Sequence, residues 1–143
     1  MRADFYIIDS QTEHELLLFV CRLAEKSYLH QQSLYIQARD QKQAHQIDEL
    51  LWTFKEDSFL PHNITGEGPY PPPMIQIGYQ PHPMIAKDVI INLDSQVPAL
   101  EKRHGRVIEI IPQIEALKQE GRLKYRHYQQ QQFTLNTHTL YEK

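Results

Sequence analysis

Two apolar segments near the start of the chain follow one another with different periods. Phe5-Tyr6-Ile7-Ile8 is a short aromatic and β-branched run, which is typical of a buried strand. Apolar residues then recur at helical spacing between positions 16 and 24, and they indicate an amphipathic helix that ends near Tyr28. Ser10 and Thr12 both carry a hydroxyl that can cap the start of this helix. The segment therefore predicts a strand followed by a helix.

The same order repeats in the next twenty residues. Ser33 to Ala38 forms a second apolar run, and Asp40 stands where a helix cap is expected. Apolar residues at helical spacing then continue to about Trp52. A strand, helix, strand, helix order predicts an α/β fold with a parallel sheet.

Proline then interrupts the pattern. Seven of the nine prolines lie between Pro61 and Pro83. Because proline fixes φ and has no N–H group, we expect this region to be mostly loop and not helix. Met74 to Tyr79 is a strand candidate within it, and Gly66-Glu67-Gly68 is typical of a tight turn.

The last third of the chain returns to strand and helix patterns. Val89 to Leu93 and Val107 to Ile111 are strand candidates, and a final helix is predicted from about Ile114 to Tyr128. Gln129 to Gln132 is predicted to be a linker. Phe133 to Thr137 is then expected to be a short extended segment of a C-terminal tail.

Length and composition indicate one ordinary globular domain. The chain has 143 residues, of which 41% are apolar and 23% charged, and these values disfavour a disordered chain or a disulfide scaffold. The longest apolar stretch, Leu16 to Cys21, is far shorter than the roughly 18 residues that a membrane span needs. We expect no secretory signal, and the single cysteine excludes an internal disulfide and fits a reducing cytoplasm.

Charge is unevenly distributed along the chain, although the net charge is only −3. Residues 1–101 carry 7 Lys and Arg against 14 Asp and Glu, whereas residues 102–128 carry 7 against 3. The overall charge disfavours a protein that coats nucleic acid. A basic segment in an acidic protein indicates a local site for an anionic ligand.

The chain contains no recognisable catalytic, cofactor or metal motif. None of the five glycines precedes a lysine, and Gly66-Glu67-Gly68 leads into prolines instead of a helix, so no phosphate-binding loop is predicted. No two of the eight histidines are three or four residues apart, so we expect solvent histidines and no metal site. Cys21 is expected to be a small buried side chain. An enzyme on an α/β scaffold is supported by fold analogy alone.

The final predicted helix has two adjacent stripes. Lys118, Arg122 and Arg126 lie at positions i, i+4 and i+8, so like charges follow one side of the helix. The adjoining stripe is apolar and aromatic and consists of Ile114, Leu117, Gly121, Tyr125 and Tyr128. Three interpretations fit this edge: a site for an acidic peptide with an aromatic end, a site for single-stranded nucleic acid, or a solvated basic face beside a core face.

Large apolar side chains also surround the start of the proline-rich region. They are Leu51, Trp52, Phe54, Phe59 and Leu60, and a short polar stretch separates them. Packing of the second helix against the sheet explains this pattern, and so does a protein-binding hot spot. Spacing alone does not decide between the two interpretations.

A series of short motifs resembles the chi subunit of bacterial DNA polymerase III holoenzyme over nearly the whole chain. Each motif is weak alone, but all of them occur here in the family's order. They are the Phe5-Tyr6 strand, Asp48-Glu49 with Leu51-Trp52, Ser58-Phe59-Leu60-Pro61-His62-Asn63, Gly66-Glu67-Gly68-Pro69, Leu117-Lys118-Gln119, Arg122, Lys124-Tyr125-Arg126 and Phe133-Thr134-Leu135-Asn136-Thr137.

This resemblance implies a non-catalytic adaptor of the clamp-loader complex, with no cofactor and no enzyme activity of its own. Its implied partners are the psi subunit and the acidic, Phe-terminated tail of single-stranded DNA-binding protein, so that contact with DNA is mainly indirect. A Rad3-like repair helicase is a further implied partner. The implied location is the bacterial cytoplasm at the replication fork, without membrane contact.

With the resemblance, we expect a single α/β domain over residues 1–143. It has a three-layer, open, mostly parallel sheet with helices on both faces, a proline-rich loop region at 61–83 and a short C-terminal tail at 129–143.

The resemblance also assigns residues to two binding surfaces. The family's tail site corresponds to Lys118, Arg122, Tyr125, Arg126 and Thr137, with Ile111 as an apolar wall. The family's psi-facing surface corresponds to Trp52 and Phe59, with Pro61 nearby.

The chain departs from the family pattern at three places. Gly121 lies inside the final helix, where glycine costs about 1 kcal/mol relative to alanine. Arg126 replaces a family lysine and offers a planar fork that can grip a carboxylate. The C-terminal segment from Thr139 to Lys143 also differs.

Direct binding of single-stranded DNA by the same basic edge remains the alternative function.

Overall fold

The computed structural model describes residues 1–57, 59–68, 71–79, 88–98 and 105–140. These residues form one seven-stranded sheet and three α-helices. In chain order the elements are β1 (Arg2–Ile8), α1 (Glu13–Leu29), β2 (Leu34–Gln37), α2 (Gln41–Thr53), β3 (His62–Ile64), β4 (Ile75–Gly78), β5 (Val89–Asn92), β6 (Arg106–Ile111), α3 (Glu115–Gln130) and β7 (Thr134–Leu140).

The sheet is parallel throughout its described pairs and has the strand order β3-β4-β2-β5-β6-β1-β7. The predicted α/β class is confirmed. The predicted three-layer arrangement is confirmed as well, because helices cover both faces of the sheet.

The direction of each crossover explains which face a helix covers. From β1 to β2 and on to β3 the chain moves one way across the sheet, whereas from β6 to β7 it moves the other way. Because such crossovers are right-handed, opposite directions place their helices on opposite faces. Accordingly α1 and α2 pack on strand residues such as Ile36 and Ile108, and Tyr128 of α3 packs on Phe5 and Val107.

The first two helices begin at side-chain caps. The Thr12 hydroxyl accepts a hydrogen bond from the Glu15 N–H at 3.2 Å, and the Asp40 carboxylate accepts one from the Gln43 N–H at 2.8 Å. Asp40 is thus confirmed as a cap, and Thr12 rather than Ser10 caps α1. None of the described helices has the length and apolar character to cross a membrane.

The proline-rich region contains more regular structure than the predicted loop at 61–83. β4 confirms the strand candidate Met74 to Tyr79, whereas β3 is not among the predicted strands. The tight turn at Gly66 is confirmed, since Gly66 has a φ of +89° and the Glu67 N–H bonds to the Ile64 carbonyl at 2.9 Å. Residues 69–70 and 80–83 of this region lie outside the described residues.

The predicted C-terminal tail at 129–143 is also wrong in its first part. α3 continues to Gln130, and Gln132 adopts the left-handed conformation with a φ of 62°. The Gln132 and Phe133 N–H groups bond back to the last turn of the helix, which is the arrangement of a Schellman motif. The chain then forms β7, which pairs in parallel with β1 at the edge of the sheet. Residues 141–143 lie outside the described residues.

Candidate functional site

An open groove of about 500 Å³ lies between α3 and the strands β6, β1 and β7. Its size is within the usual range for ligand sites in proteins, about 300–1,000 Å³. The groove is lined by Phe5, Ile7, Ile111, Gln113, Lys118, Gly121, Arg122, Tyr125, Arg126 and Thr137. We call it the α3 groove.

All six residues that the resemblance assigned to the tail site lie in the α3 groove. Four of them come from one side of α3, one from the end of β6 and one from the edge strand β7. They are Lys118, Arg122, Tyr125, Arg126, Ile111 and Thr137. Residues that are 26 positions apart in sequence therefore meet, because the crossover through α3 returns the chain to the same face of the sheet.

The floor of the groove is apolar and is built mainly by the sheet. Phe5 is buried and meets the Tyr125 ring edge-on, with ring centroids 5.2 Å apart. Ile7 lies two residues further along β1, so that its side chain points to the same face. Ile111 lies beside it at the end of β6. An aromatic or aliphatic group can therefore be received between α3 and the strands.

Three further residues line the groove that the sequence pattern did not indicate: Phe5, Ile7 and Gln113. Alternation along β1 places Phe5 and Ile7 on one face, but only the strand order reveals that this face lies next to α3. Gln113 is held in place by two bonds: its N–H donates to the Ser10 carbonyl at 2.7 Å, and its side-chain Nε2 donates to the Ile8 carbonyl at 3.0 Å.

Gly121 leaves space beside α3 for the Ile111 side chain at the groove. The residue is buried, and a Cβ atom at this position would collide with Cδ1 of Ile111. The glycine lowers the helix propensity of α3, and it leaves the Ile111 side chain undisplaced.

Cationic side chains form the rim of the groove. Lys118, Arg122 and Arg126 are one helical turn apart, and Arg122 and Arg126 are exposed. Arg122 lies 3.9 Å from the Glu115 carboxylate in a pair that is exposed on both sides. In the described part of the chain, Lys118 and Arg126 have no carboxylate partner. This rim is therefore able to attract an anion into the groove.

A buried polar network fixes the sheet-facing side of α3. The Glu109 carboxylate on β6 is fully buried and accepts hydrogen bonds from Lys124 Nζ at 2.7 Å, Tyr128 Oη at 2.7 Å and Asn92 Nδ2 at 2.8 Å. Burial raises the pKa of Glu109, and its contacts with Lys124, Asn92 and Tyr128 oppose this shift. Lys124 Nζ also donates to the Asp94 carbonyl at 2.9 Å. Both β6 and the segment after β5 are thereby joined to α3.

A second polar contact ties α3 to the residues that follow β2. The two terminal guanidinium nitrogens of Arg39, Nη1 and Nη2, donate to the Glu120 carboxylate at 3.2 and 2.8 Å. This two-bond pairing lowers the pKa of Glu120 and raises that of Arg39. Glu120 and Lys124 are one helical turn apart, so the two contacts hold the same side of α3, away from the cationic stripe.

The residues assigned to the second surface lie at the other face of the sheet. The Trp52 and Phe59 rings contact each other with centroids 5.5 Å apart, and 48% of Trp52 and 70% of Phe59 is exposed. We call this pair the aromatic surface. Pro61 is half-buried and directly precedes β3.

Some apolar side chains around Trp52 belong to the core, and others are exposed as a protein-binding hot spot would be. Leu51 and Leu60 are buried in the core under α2, and Phe54 is half-buried against it. Trp52 and Phe59 instead point to solvent. Exposed aromatic rings next to each other are typical of protein-binding surfaces.

Buried His62 supports the aromatic surface from below. Its ring centroid lies 4.3 Å from that of Trp52. Its Nδ1 lies 2.6 Å from the Leu60 carbonyl oxygen, and its Nε2 lies 3.0 Å from the Asp48 carbonyl oxygen. The prediction that the histidines are solvent-exposed is therefore wrong for His62, which is part of the packing.

Other residues that carry chemistry form no second site within the described ranges. Burial raises the pKa of the Cys21 thiol to about 12, so that a reactive thiolate is strongly disfavoured. Among the described residues, no three His, Cys, Asp or Glu side chains are grouped in a way that could hold a metal ion.

Comparison with known proteins gives a consistent set of relatives. Residues 1–136 match the family described as DNA polymerase III chi subunit, HolC. The chain is 32% identical over 139 residues to DNA polymerase III subunit chi of Pseudomonas aeruginosa, covering 97% of this chain and 96% of the relative. It is 32% identical over 142 residues to the Escherichia coli subunit chi, covering 96% and 97% of the two chains. The Haemophilus influenzae subunit chi is 29% identical over 136 residues, covering 94% of each chain.

Proposed function

The chain belongs to the DNA polymerase III chi subunit family, and on that premise we propose that it is a non-catalytic adaptor within this replication complex. In this proposal it links the clamp-loader complex, through the psi subunit, to single-stranded DNA-binding protein on the template. It performs no reaction of its own and acts in the bacterial cytoplasm. The α3 groove receives the acidic C-terminal tail of single-stranded DNA-binding protein.

The composition of the α3 groove is the observation that carries this proposal. A peptide that ends in Asp-Phe offers a terminal carboxylate, an acidic side chain and an aromatic ring. The rim supplies Lys118, Arg122 and Arg126 for the anionic groups, and the apolar floor accepts the ring beside Tyr125. Arg126 can hold a carboxylate with two parallel hydrogen bonds, which a lysine cannot do.

The expected affinity follows from the size of these contributions. Exposed ion pairs contribute about 0–1 kcal/mol each, and burial of one Phe side chain contributes about 1.5–3 kcal/mol. Micromolar binding, about −8 kcal/mol, therefore needs several of these contacts together. We expect weak, salt-sensitive binding of single tails and stronger attachment where many tails are displayed along coated DNA.

We propose the aromatic surface as the site for the psi subunit, with Pro61 at its border. Two adjacent exposed rings, held on a buried histidine, provide the type of anchor on which binding energy is concentrated in protein interfaces. A Rad3-like repair helicase is a second proposed user of this surface.

A peptide titration tests the tail site directly. A fluorescent acidic peptide ending in Asp-Phe is titrated with wild-type protein, Arg122→Ala and Lys42→Ala at low and high salt. Lys42 is an exposed cation on α2, at the other face of the sheet, so Lys42→Ala removes one positive charge without changing the groove. We expect saturable binding that Arg122→Ala weakens about tenfold, or about 1.4 kcal/mol, whereas Lys42→Ala leaves it unchanged.

The same titration also tests the alternative function, direct binding of single-stranded DNA. The basic stripe of α3 spans about 12 Å, which is short for a groove that follows a nucleic-acid backbone. An unlabelled single-stranded oligonucleotide is therefore expected to compete poorly with the peptide. Tight oligonucleotide binding without peptide binding would favour a direct DNA-binding module instead of the adaptor.

A further inference from the structure

We infer that the aromatic surface binds a cationic, amphipathic segment of its partner, with apolar side chains on the two rings and Lys or Arg side chains on the surrounding carboxylates. This inference rests on the proposed function, because it specifies the partner chemistry at the surface proposed for psi. It is carried by charge and geometry around Trp52 and Phe59.

The two rings form an apolar anchor that is already in place before binding. Trp52 lies on the last turn of α2, and its ring contacts both Phe59 and the fully buried His62. Because His62 is in turn fixed by the Leu60 and Asp48 carbonyl oxygens, the Trp52 ring has support from below. A partner therefore gains contact area without having to order this side of the interface.

Four carboxylates stand close to the two rings in the sequence, two before Trp52 and two between Trp52 and Phe59. Asp48 and Glu49 precede Trp52 by four and three residues on α2, which places them beside it on the helix surface. Glu56 and Asp57 follow the helix and are exposed, three and two residues before Phe59 in the sequence. We call these four residues the acidic rim.

The negative charge of the acidic rim is largely uncompensated by the neighbouring residues. The lysine in this stretch, Lys55, lies 3.4 Å from both carboxylate oxygens of Glu25 and is therefore engaged elsewhere. Asp48 Oδ1 lies 3.3 Å from Nε2 of His62. Within the described ranges, Glu49, Glu56 and Asp57 have no cationic partner.

An apolar anchor with an acidic border selects partners by charge as well as by shape. It attracts cationic groups placed around an apolar contact and repels an acidic segment of the kind that suits the α3 groove. The molecule thus presents two surfaces of opposite preference, which keeps each partner segment from occupying the other's site.

The test compares two pairs of charge-neutralising substitutions. Purified psi subunit from the same organism is titrated at low and high salt with wild type, Glu56→Gln/Asp57→Asn and Glu13→Gln/Glu15→Gln. The control pair removes the same charge at the start of α1, where Glu13 contacts Gln43 near the start of α2, away from Trp52 at the end of that helix. Thermal unfolding of each variant verifies that the fold is intact.

We expect the rim variant to bind psi about threefold to tenfold more weakly at low salt, with a smaller difference at high salt, and the control variant to bind like wild type. Wild-type affinity of the rim variant at low salt would overturn the inference. Trp52→Ala distinguishes failure of the charge preference from failure of the proposed psi surface. If it abolishes psi binding while the rim variant binds normally, the inference alone fails; if it leaves psi binding unchanged, the proposed surface fails and the inference with it.

Discussion

At the scale of single residues, Gly121 leaves room for the Ile111 side chain at the wall of the α3 groove. An L-residue at this position would place a Cβ atom against Cδ1 of Ile111, the apolar wall of the groove. Cδ1 is the flexible end of its side chain, so the collision can be relieved by a rotation of Ile111 and does not require the helix to move. Glycine at this position therefore keeps Ile111 in place at the groove, and it does not stabilise α3.

Gly121→Ala separates these two roles. Alanine gains about 1 kcal/mol of helix propensity, and displacement of Ile111 opposes that gain, so the unfolding free energy is expected to stay within about 1 kcal/mol of wild type. Affinity for the acidic peptide should fall several-fold, because the added methyl group and the displaced Ile111 narrow the floor. Fluorescence anisotropy and thermal unfolding measure the two quantities.

Leu123→Ala is the matched control for that experiment. Leu123 lies on the same helix, is 65% exposed and does not line the groove. Its truncation should leave peptide binding unchanged. Wild-type peptide affinity in Gly121→Ala, with the helix intact, would mean that the floor beneath Gly121 takes no part in binding.

At the scale of elements, α3 presents two lysines with different tasks. Lys118 is at the rim of the groove, whereas Lys124 is buried against Glu109 on β6. Removing Lys124 leaves a buried carboxylate without its cation, a change that typically costs about 3–5 kcal/mol. Removing a rim lysine only reduces the local positive potential.

Alanine substitutions at the two lysines should therefore affect different quantities, protein stability at Lys124 and peptide affinity at Lys118. Lys124→Ala is expected to lower the unfolding free energy by about 3–5 kcal/mol in denaturant titrations. Lys118→Ala is expected to leave stability unchanged and to weaken the acidic peptide by up to about 1 kcal/mol, an effect that disappears at high salt. A stable Lys124→Ala variant would contradict the anchoring role of the Glu109 network.

The elements also reveal where sequence patterns are sufficient and where they are not. All three helices and the strongly apolar strands were predicted, because caps and periodicity are local signals. β3 has only three residues beside prolines, and β7 is a polar edge strand with a neighbour on one side only, so both depend on pairing with distant strands. The stripe on α3 was visible in the sequence, whereas Phe5 and Ile7 under it required the strand order.

At the scale of the whole molecule, the sheet separates two surfaces of opposite character. The α3 groove lies on one face with a cationic rim, and the aromatic surface lies at the end of α2 on the other face with an acidic rim. The net charge of −3 describes neither surface. The proposed adaptor role requires separate surfaces, because both proposed partners must be bound at the same time without competing for one site.

Independence of the two surfaces is the strongest test of this arrangement. Trp52→Ala should weaken psi binding by at least about 2 kcal/mol, or about thirtyfold, because it removes a central aromatic anchor, and it should leave the acidic peptide unaffected. Arg122→Ala should weaken binding of the acidic peptide and leave psi binding unaffected. The double variant should reproduce both single effects to within about 0.5 kcal/mol, since the residues share no contacts across the sheet. Calorimetric titrations of each variant with psi and with the peptide, separately and in sequence, measure these binding free energies. If a normally stable Trp52→Ala variant loses both partners, the two surfaces are coupled and the protein does not act as a passive link.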